Sequence, residues 1–170
     1  APIRVDAVSK GGFEEGLVSG STVDAGKLVS ITDFRGYAVA QTAIGNPTEF
    51  EKYAVQLWKY YDVKSIFFDL SKAKYTLAVN GGSVVANNDL SYADAMTAAK
   101  LSELTNKAVN LSLSQSGNNI TFKNNGGSNV EEMFYVYIPV TVGYAYGKLT
   151  EYVKIPVYPR GQVPASVKRR

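Results

Sequence analysis

The amino-acid sequence predicts an α+β fold that is mostly antiparallel β-sheet or sandwich, with one long amphipathic helix and one short one. Three observations carry that expectation. Apolar residues recur at helical spacing through Phe50, Tyr53, Ala54, Leu57, Trp58 and Tyr61. They alternate with polar residues through Val109, Leu111, Leu113, Ile120 and Phe122, and alternate again over 134–144 and 149–157.

Taken in chain order, Ile3, Val5 and their neighbours to Ala7 read as a strand, and residues 28–34 as another, punctuated by Gly26 and Gly36. Helix 48–61 follows Pro47, with Thr48 and Glu51 at capping-box spacing. Residues 63–70, rich in β-branched and aromatic side chains, form the next strand. Asn80-Gly81-Gly82 and Asn87-Asn88 break the chain, and Ser91-Tyr92-Ala93-Asp94 opens a second helix that ends near Leu104, with Tyr92, Ala95, Met96 and Ala99 on one face. Gly117-Asn118-Asn119 turns a hairpin and Asn124-Asn125-Gly126-Gly127 makes a loop.

The last hairpin has the strongest strand pattern. Phe134, Val136, Ile138, Val140, Val142 and Tyr144 share one face of its first strand, and Tyr135, Tyr137, Pro139 and Thr141 share the other; the turn falls near Tyr146-Gly147-Lys148. Pro139 and Pro156 lack a ladder donor, so each belongs at a bulge or where its nitrogen faces an edge. These elements form one β-rich domain over 1–158, or an α+β half over 1–80 and a second half over 105–158. Residues 159–170 follow neither period and read as an extended arm.

Composition removes whole classes of chemistry. With no cysteine the chain has no disulfide, zinc–thiolate or iron–sulfur site, and with no histidine it has neither a Ser-His-Asp triad nor a histidine-based metal motif. No cofactor is expected. No apolar run is long enough to span a bilayer, and a start at Ala1 reads as a chain whose leader is removed or as a piece of a longer protein. Of the 18 basic residues, Arg160, Lys168, Arg169 and Arg170 lie in the arm, and the remaining 14 stand against 15 acidic residues. The positive charge belongs to the arm, where a solvated terminus outweighs a nucleic-acid contact.

The remaining motifs have structural explanations. Gly143-Tyr144-Ala145-Tyr146-Gly147-Lys148-Leu149 lacks the spacing, the hydroxyl residue after lysine and the following helix of a phosphate loop. The acidic pairs Glu14/Glu15 and Glu131/Glu132 point to opposite strand faces, and Glu49/Glu51 suits a helix first turn, which argues against a two-carboxylate glycosidase. Asn110-Leu111-Ser112 and Asn119-Ile120-Thr121 match the glycosylation pattern by chance in an Asn-rich chain. Twelve tyrosines against one tryptophan is a real bias, and Tyr135, Tyr137 and Tyr152 fall opposite the aliphatic face, where they could stack on sugars or meet a protein.

Ile120-Thr121-Phe122-Lys123-Asn124-Asn125-Gly126-Gly127, with the strands over 134–142 and 149–157, resembles the last strands of Ig-like modules in secreted and cell-surface proteins of Bacteroidetes. The resemblance covers about the last 55 residues. It implies an Ig-like C-terminal half, an extracellular or cell-surface location and a place in a larger array, and brings no catalytic residue. Part of a virion or other particle is the alternative location. The expected function is a non-catalytic structural or adhesive building block that contacts protein subunits of the same or a larger assembly, with Arg160, Lys168, Arg169 and Arg170 as an assembly arm. The alternative is a carbohydrate-binding module whose stacking residues are Tyr135, Tyr137 and Tyr152.

Overall fold

The computed structural model describes residues 2–15, 20–40, 52–105 and 109–161. It is strand-rich, with several antiparallel sheets, an architecture consistent with a β-sandwich. In chain order the strands are β1 (Ile3–Ala7), β2 (Phe13–Glu14), β3 (Ser21–Asp24), β4 (Val29–Asp33), β5 (Ser65–Phe68), β6 (Lys74–Tyr75), β7 (Leu77–Asn80), β8 (Ser83–Ala86), β9 (Leu111–Ser116), β10 (Asn119–Asn124), β11 (Phe134–Tyr144) and β12 (Gly147–Tyr158). Helix α1 (Lys52–Tyr61) precedes β5, and helix α2 (Ala98–Thr105) precedes β9.

The central sheet runs β2-β12-β11-β5, with β6 also on β11 beyond β5. The antiparallel β11–β12 ladder pairs every residue from Phe134↔Val157 to Tyr144↔Gly147, and β2 lies parallel to the end of β12. A second sheet runs β3-β10-β9, and β1-β4 and β7-β8 form antiparallel pairs. Gly117 takes φ +59° at the first central position of the β9–β10 turn, the site where a two-residue hairpin of type II′ requires glycine.

Alternation decides which face is buried. Val136, Ile138, Val140, Val142, Ile155 and Val157 have no accessible surface and join Phe122 and Ile120 of β10 and Ile3 and Ile31 of the β1–β4 pair in one hydrophobic cluster. Phe122 is its hub. Its ring centroid lies 5.7 Å from Phe13, 6.0 Å from Phe134 and 6.2 Å from Tyr75, so one side chain of the second sheet touches three strands of the central one.

The prolines lie where the sequence requires them. Tyr135, Pro139 and Gly143 accept from Thr76, Asp69 and Lys64, so these residues turn their backbone groups away from β12. Pro139 therefore faces the gap between β5 and β6, and Pro156, paired with Tyr135, directs its nitrogen away from β11. No ladder bond is lost.

Two helical expectations need correction. In place of a long helix over 48–61, α1 has ten residues, and the capping pair Thr48 and Glu51 lies outside the described residues, as does Phe50. Leu57 packs on the core, and Tyr61, nearly fully buried, accepts from the Ala145 amide at 2.8 Å, which ties the helix to the β11–β12 turn. Asp62, at φ +50°, ends the helix after donating to Trp58 O. The second helix starts at Ala98 and not at Ser91. Ser91 and Asp94 bond reciprocally to form a single turn, after which Met96 exchanges both backbone bonds with Tyr75, and Thr97 caps α2 through Lys100 N. Pairing with β6 outcompetes the helical pattern of Tyr92, Ala95 and Met96.

Phe122→Ala should cost about 3–5 kcal/mol in chemical denaturation, because it empties the junction between the two sheets. A loss below about 1 kcal/mol would contradict its position as the hub.

Candidate functional site

The β11–β12 register builds an outer face in cross-strand rows. Thr150 pairs with Thr141 and Thr141 with Phe67; Tyr152 pairs with Pro139; Lys154 pairs with Tyr137 and Tyr137 with Lys74; Pro156 pairs with Tyr135. Thr141 and Thr150 share a hydroxyl hydrogen bond of 2.7 Å. Tyr135, Tyr137 and Tyr152 thus lie together on the face opposite the core, as their parity predicts.

Their surroundings differ. The Lys154 ammonium lies 4.9 Å from the Tyr135 ring and 5.4 Å from the Tyr137 ring, and it donates to Asn88 O. Tyr137 donates its hydroxyl to Leu90 O at 2.9 Å. Both rings are half-buried, whereas Tyr152 is 54% exposed and Phe67 58% exposed.

Tyr92, which sequence reasoning placed on a helix face, completes the cluster. Its ring stands 4.3 Å from Tyr152 and edge-on, at 6.0 Å, to Tyr137, with the Lys74 ammonium 4.5 Å from its centroid and its hydroxyl donated to Lys72 O. Burial, with Tyr152 and Asp69 nearby, pushes its phenol above the ordinary range. The signal that could have found it is the Ser91/Asp94 turn, which sets Tyr92 on a loop. Phe67 could have been found by strand parity, since it alternates with the buried Phe68.

The arm residues separate into two groups. Pro159 is buried, Arg160 is exposed, and Gly161 donates to Glu14 at 2.6 Å, so the start of the arm is tied to β2. Lys168, Arg169 and Arg170 lie outside the described residues.

The acidic pairs do not converge. Glu14 accepts from Gly161, whereas Glu15, with no accessible surface, accepts from Val130 N at 2.8 and 2.9 Å and from the Asn124 amide at 2.6 Å. Glu131 is exposed and Glu132 accepts from Ala86 N; Glu49 and Glu51 lie outside the described residues. Among the described residues no three His, Cys, Asp or Glu side chains cluster to hold a metal ion, and no helix is long and apolar enough to cross a membrane.

A second exposed aromatic group stands after β4. Asp33 accepts from Arg35 Nη2 at 2.7 Å, Arg35 Nε, Arg35 N and Tyr37 N. Burial alone would raise this carboxyl, but these donors outweigh it and hold it below the ordinary range. The guanidinium lies 5.6 Å from the Phe34 ring, which is 78% exposed, and 5.1 Å from that of Tyr37. Elsewhere, a cleft of about 370 Å³ between α1 and the start of β5 is lined by Trp58, Asp62, Lys64 and Asn118 among others.

Compared with known protein families, curated proteins and solved structures, the chain matches none.

Glu15 makes the protein's stability depend on pH. Burial raises its carboxyl, and the bonds from Val130 and Asn124 offset this only in part. A raised folded pKa means that its contribution is fully present below the unfolded value of about 4.5 and is lost as pH rises through the folded one. Urea midpoints measured from pH 4 to 8 should therefore decline less in Glu15→Gln than in the natural chain. Glu15→Ala should lose about 1–3 kcal/mol for each donor left without an acceptor.

Proposed function

We propose that the chain is a non-catalytic, Ig-like β-sandwich building block of a surface or particle assembly, and that it meets neighbouring protein subunits through the outer face of the central sheet. One observation carries this reading. The face sets the exposed rings of Phe67 and Tyr152 on a hydrogen-bonded sheet, beside half-buried Tyr92 and Tyr137. Aromatic residues at the centre and polar ones around them match the anatomy of protein interfaces. Lys74 and Lys154 rest on tyrosine rings within the same face, which leaves apolar area at its middle and charge at its margin. The extracellular or cell-surface location implied by the Ig-like resemblance belongs to this proposal.

A carbohydrate-binding module is the second reading, favoured by the exposed ring of Tyr152, which is tilted against Tyr92. It narrows the platform from the three tyrosines to Tyr152, because Lys154 already occupies the neighbourhood of Tyr135 and Tyr137.

Size measurement of the chain in its native source, with incorporation of recombinant chain into that particle, tests the first reading. The expected native mass is a multiple of the mass that the same polypeptide has under denaturing conditions. The Phe67→Ala/Tyr152→Ala chain should fail to incorporate while keeping its thermal midpoint. A native monomer would overturn the building-block reading, and saturable glycan-array binding lost in the same variant would replace it with the second.

A further inference from the structure

We propose that the free edge of β12 pairs antiparallel with the same edge of a second copy of this chain, with Thr150 of one copy opposite Thr150 of the other. The inference rests on the building-block reading and deepens it by naming a partner.

The edge follows from parity. Tyr135, Pro139 and Gly143 turn their backbone groups toward β5 and β6, so the residues paired with them, Pro156, Tyr152 and Lys148, turn theirs away from β11, and Thr150 and Lys154 share that direction. Tyr158 shows the same direction, since its carbonyl accepts from Glu15, the residue after β2. But β2 reaches only Val157 and Tyr158. From Gly147 to Tyr152 β12 is exposed apart from half-buried Leu149, and no described strand pairs with that side. Lys148, Thr150 and Tyr152 thus present a row of amides and carbonyls that is a template for another strand.

Charge selects the occupant and its register. Edge charges ordinarily discourage pairing, and here Lys148, Glu151 and Lys154 leave one favourable alignment of two identical edges. Centring the pair on Glu151 sets Glu151 against Glu151 and Lys148 against Lys154. Centring it on Tyr152 requires access to Pro156, where Gly12 sits so close that an added Cβ would be 2.8 Å from the Pro156 carbonyl. Centring it on Leu149 brings Tyr152 against Tyr146 in the turn and gives up a hydrogen-bonded pair. Centring it on Thr150 opposes no like charges. It sets Lys148 of each copy against the Tyr152 ring of the other, the contact that Lys74 and Lys154 already make with tyrosines on this face. It also extends the Thr141–Thr150 hydroxyl pair across the twofold axis. A self-complementary patch of this kind is what a closed dimer requires.

Thr150→Pro tests the pairing with little change to the monomer. Thr150 directs its amide outward, and Pro156 already stands at the same parity of the same strand without interrupting the ladder. Sedimentation of the full chain over a range of concentrations should show reversible dimers, and Thr150→Pro should raise the dimer Kd at least about tenfold with an unchanged thermal midpoint. A chain that stays monomeric throughout, or a folded Thr150→Pro chain that dimerises as before, overturns the proposal.

Cross-linking keeps the test independent of that variant. The chain has no cysteine, so a single introduced thiol can bond only to another copy. Hydrogen-bonded partners sit about 5.5 Å apart at Cα, within the range a disulfide spans. Thr150→Cys should form covalent dimers under mild oxidation much faster than Gln56→Cys on the exposed surface of α1. Equal rates overturn the proposal. Failure of these tests with an intact native particle removes edge pairing alone, because Thr150→Pro alters neither Phe67 nor Tyr152; a native monomer removes the building-block reading itself.

Discussion

The register between β11 and β12 is the constraint on which the rest of the structure depends. In a ladder with period two, fixing one pair fixes the face of every side chain and the direction of every backbone group. The match of Ile138 with Val153 and of Val136 with Ile155 buries one face. The same match sets Tyr137 beside Lys154 on the other face and aims the outward groups of Lys148, Thr150 and Tyr152 at solvent. A shift of one residue would bury Lys154 and expose Ile155. Burial of the aliphatic face therefore holds the tyrosine face in place, and the prolines sharpen this choice because both sit where no ladder bond is demanded of them.

The junction around Asn124 shows how a polar group joins elements that alternation cannot. Asn124 ends β10 buried, and its carbonyl oxygen accepts from Asn110 N and Gly126 N while its amide donates to Glu15 and Ser128 O. Its side chain so satisfies backbone groups just before β9 and within the loop after β10, and connects them to the residue following β2. Asn124 and Glu15 are both withdrawn from water, so the loss of either as a partner costs more than an ordinary hydrogen bond contributes. An Asn-Asn-Gly-Gly sequence reads as a loop, but nothing in it announces that the first asparagine is the buried one.

How much of this was legible depends on the range of the interaction. The long hairpin, the β9–β10 hairpin and β1 and β4 were readable because alternation and turn chemistry are local. The outward parity of Tyr135, Tyr137 and Tyr152 followed from the same pattern. What could not be read depends on partners distant in sequence: Met96 leaves a helical pattern to bridge Tyr75, Tyr92 arrives on Tyr152 from a loop, and Glu15 finds Val130. The Asp33–Arg35 pair is local, yet it went unread because its geometry depends on Asp33 being buried at the end of β4. Aspartate two residues before arginine is otherwise an ordinary solvated pair.

Fixed side chains also bear on how the outer face would work under the proposed function. Tyr92 and Tyr137 have their hydroxyls tied to the carbonyls of Lys72 and Leu90, so their rotamer entropy is spent on folding and is not charged again to binding. Lys154 is held in the same way by Asn88 O, and its charge lies over rings instead of in open water. Tyr152 and Phe67 are the freer rings, and each stands beside a fixed neighbour: Tyr92 for the first, the Thr141–Thr150 pair for the second. A partner that covers these two rings would gain apolar burial against a surface that has little left to order, which favours contact at modest interface area. The same rigidity would serve the β12 edge, since an edge that does not flex presents its amides and carbonyls in the spacing that a second strand needs.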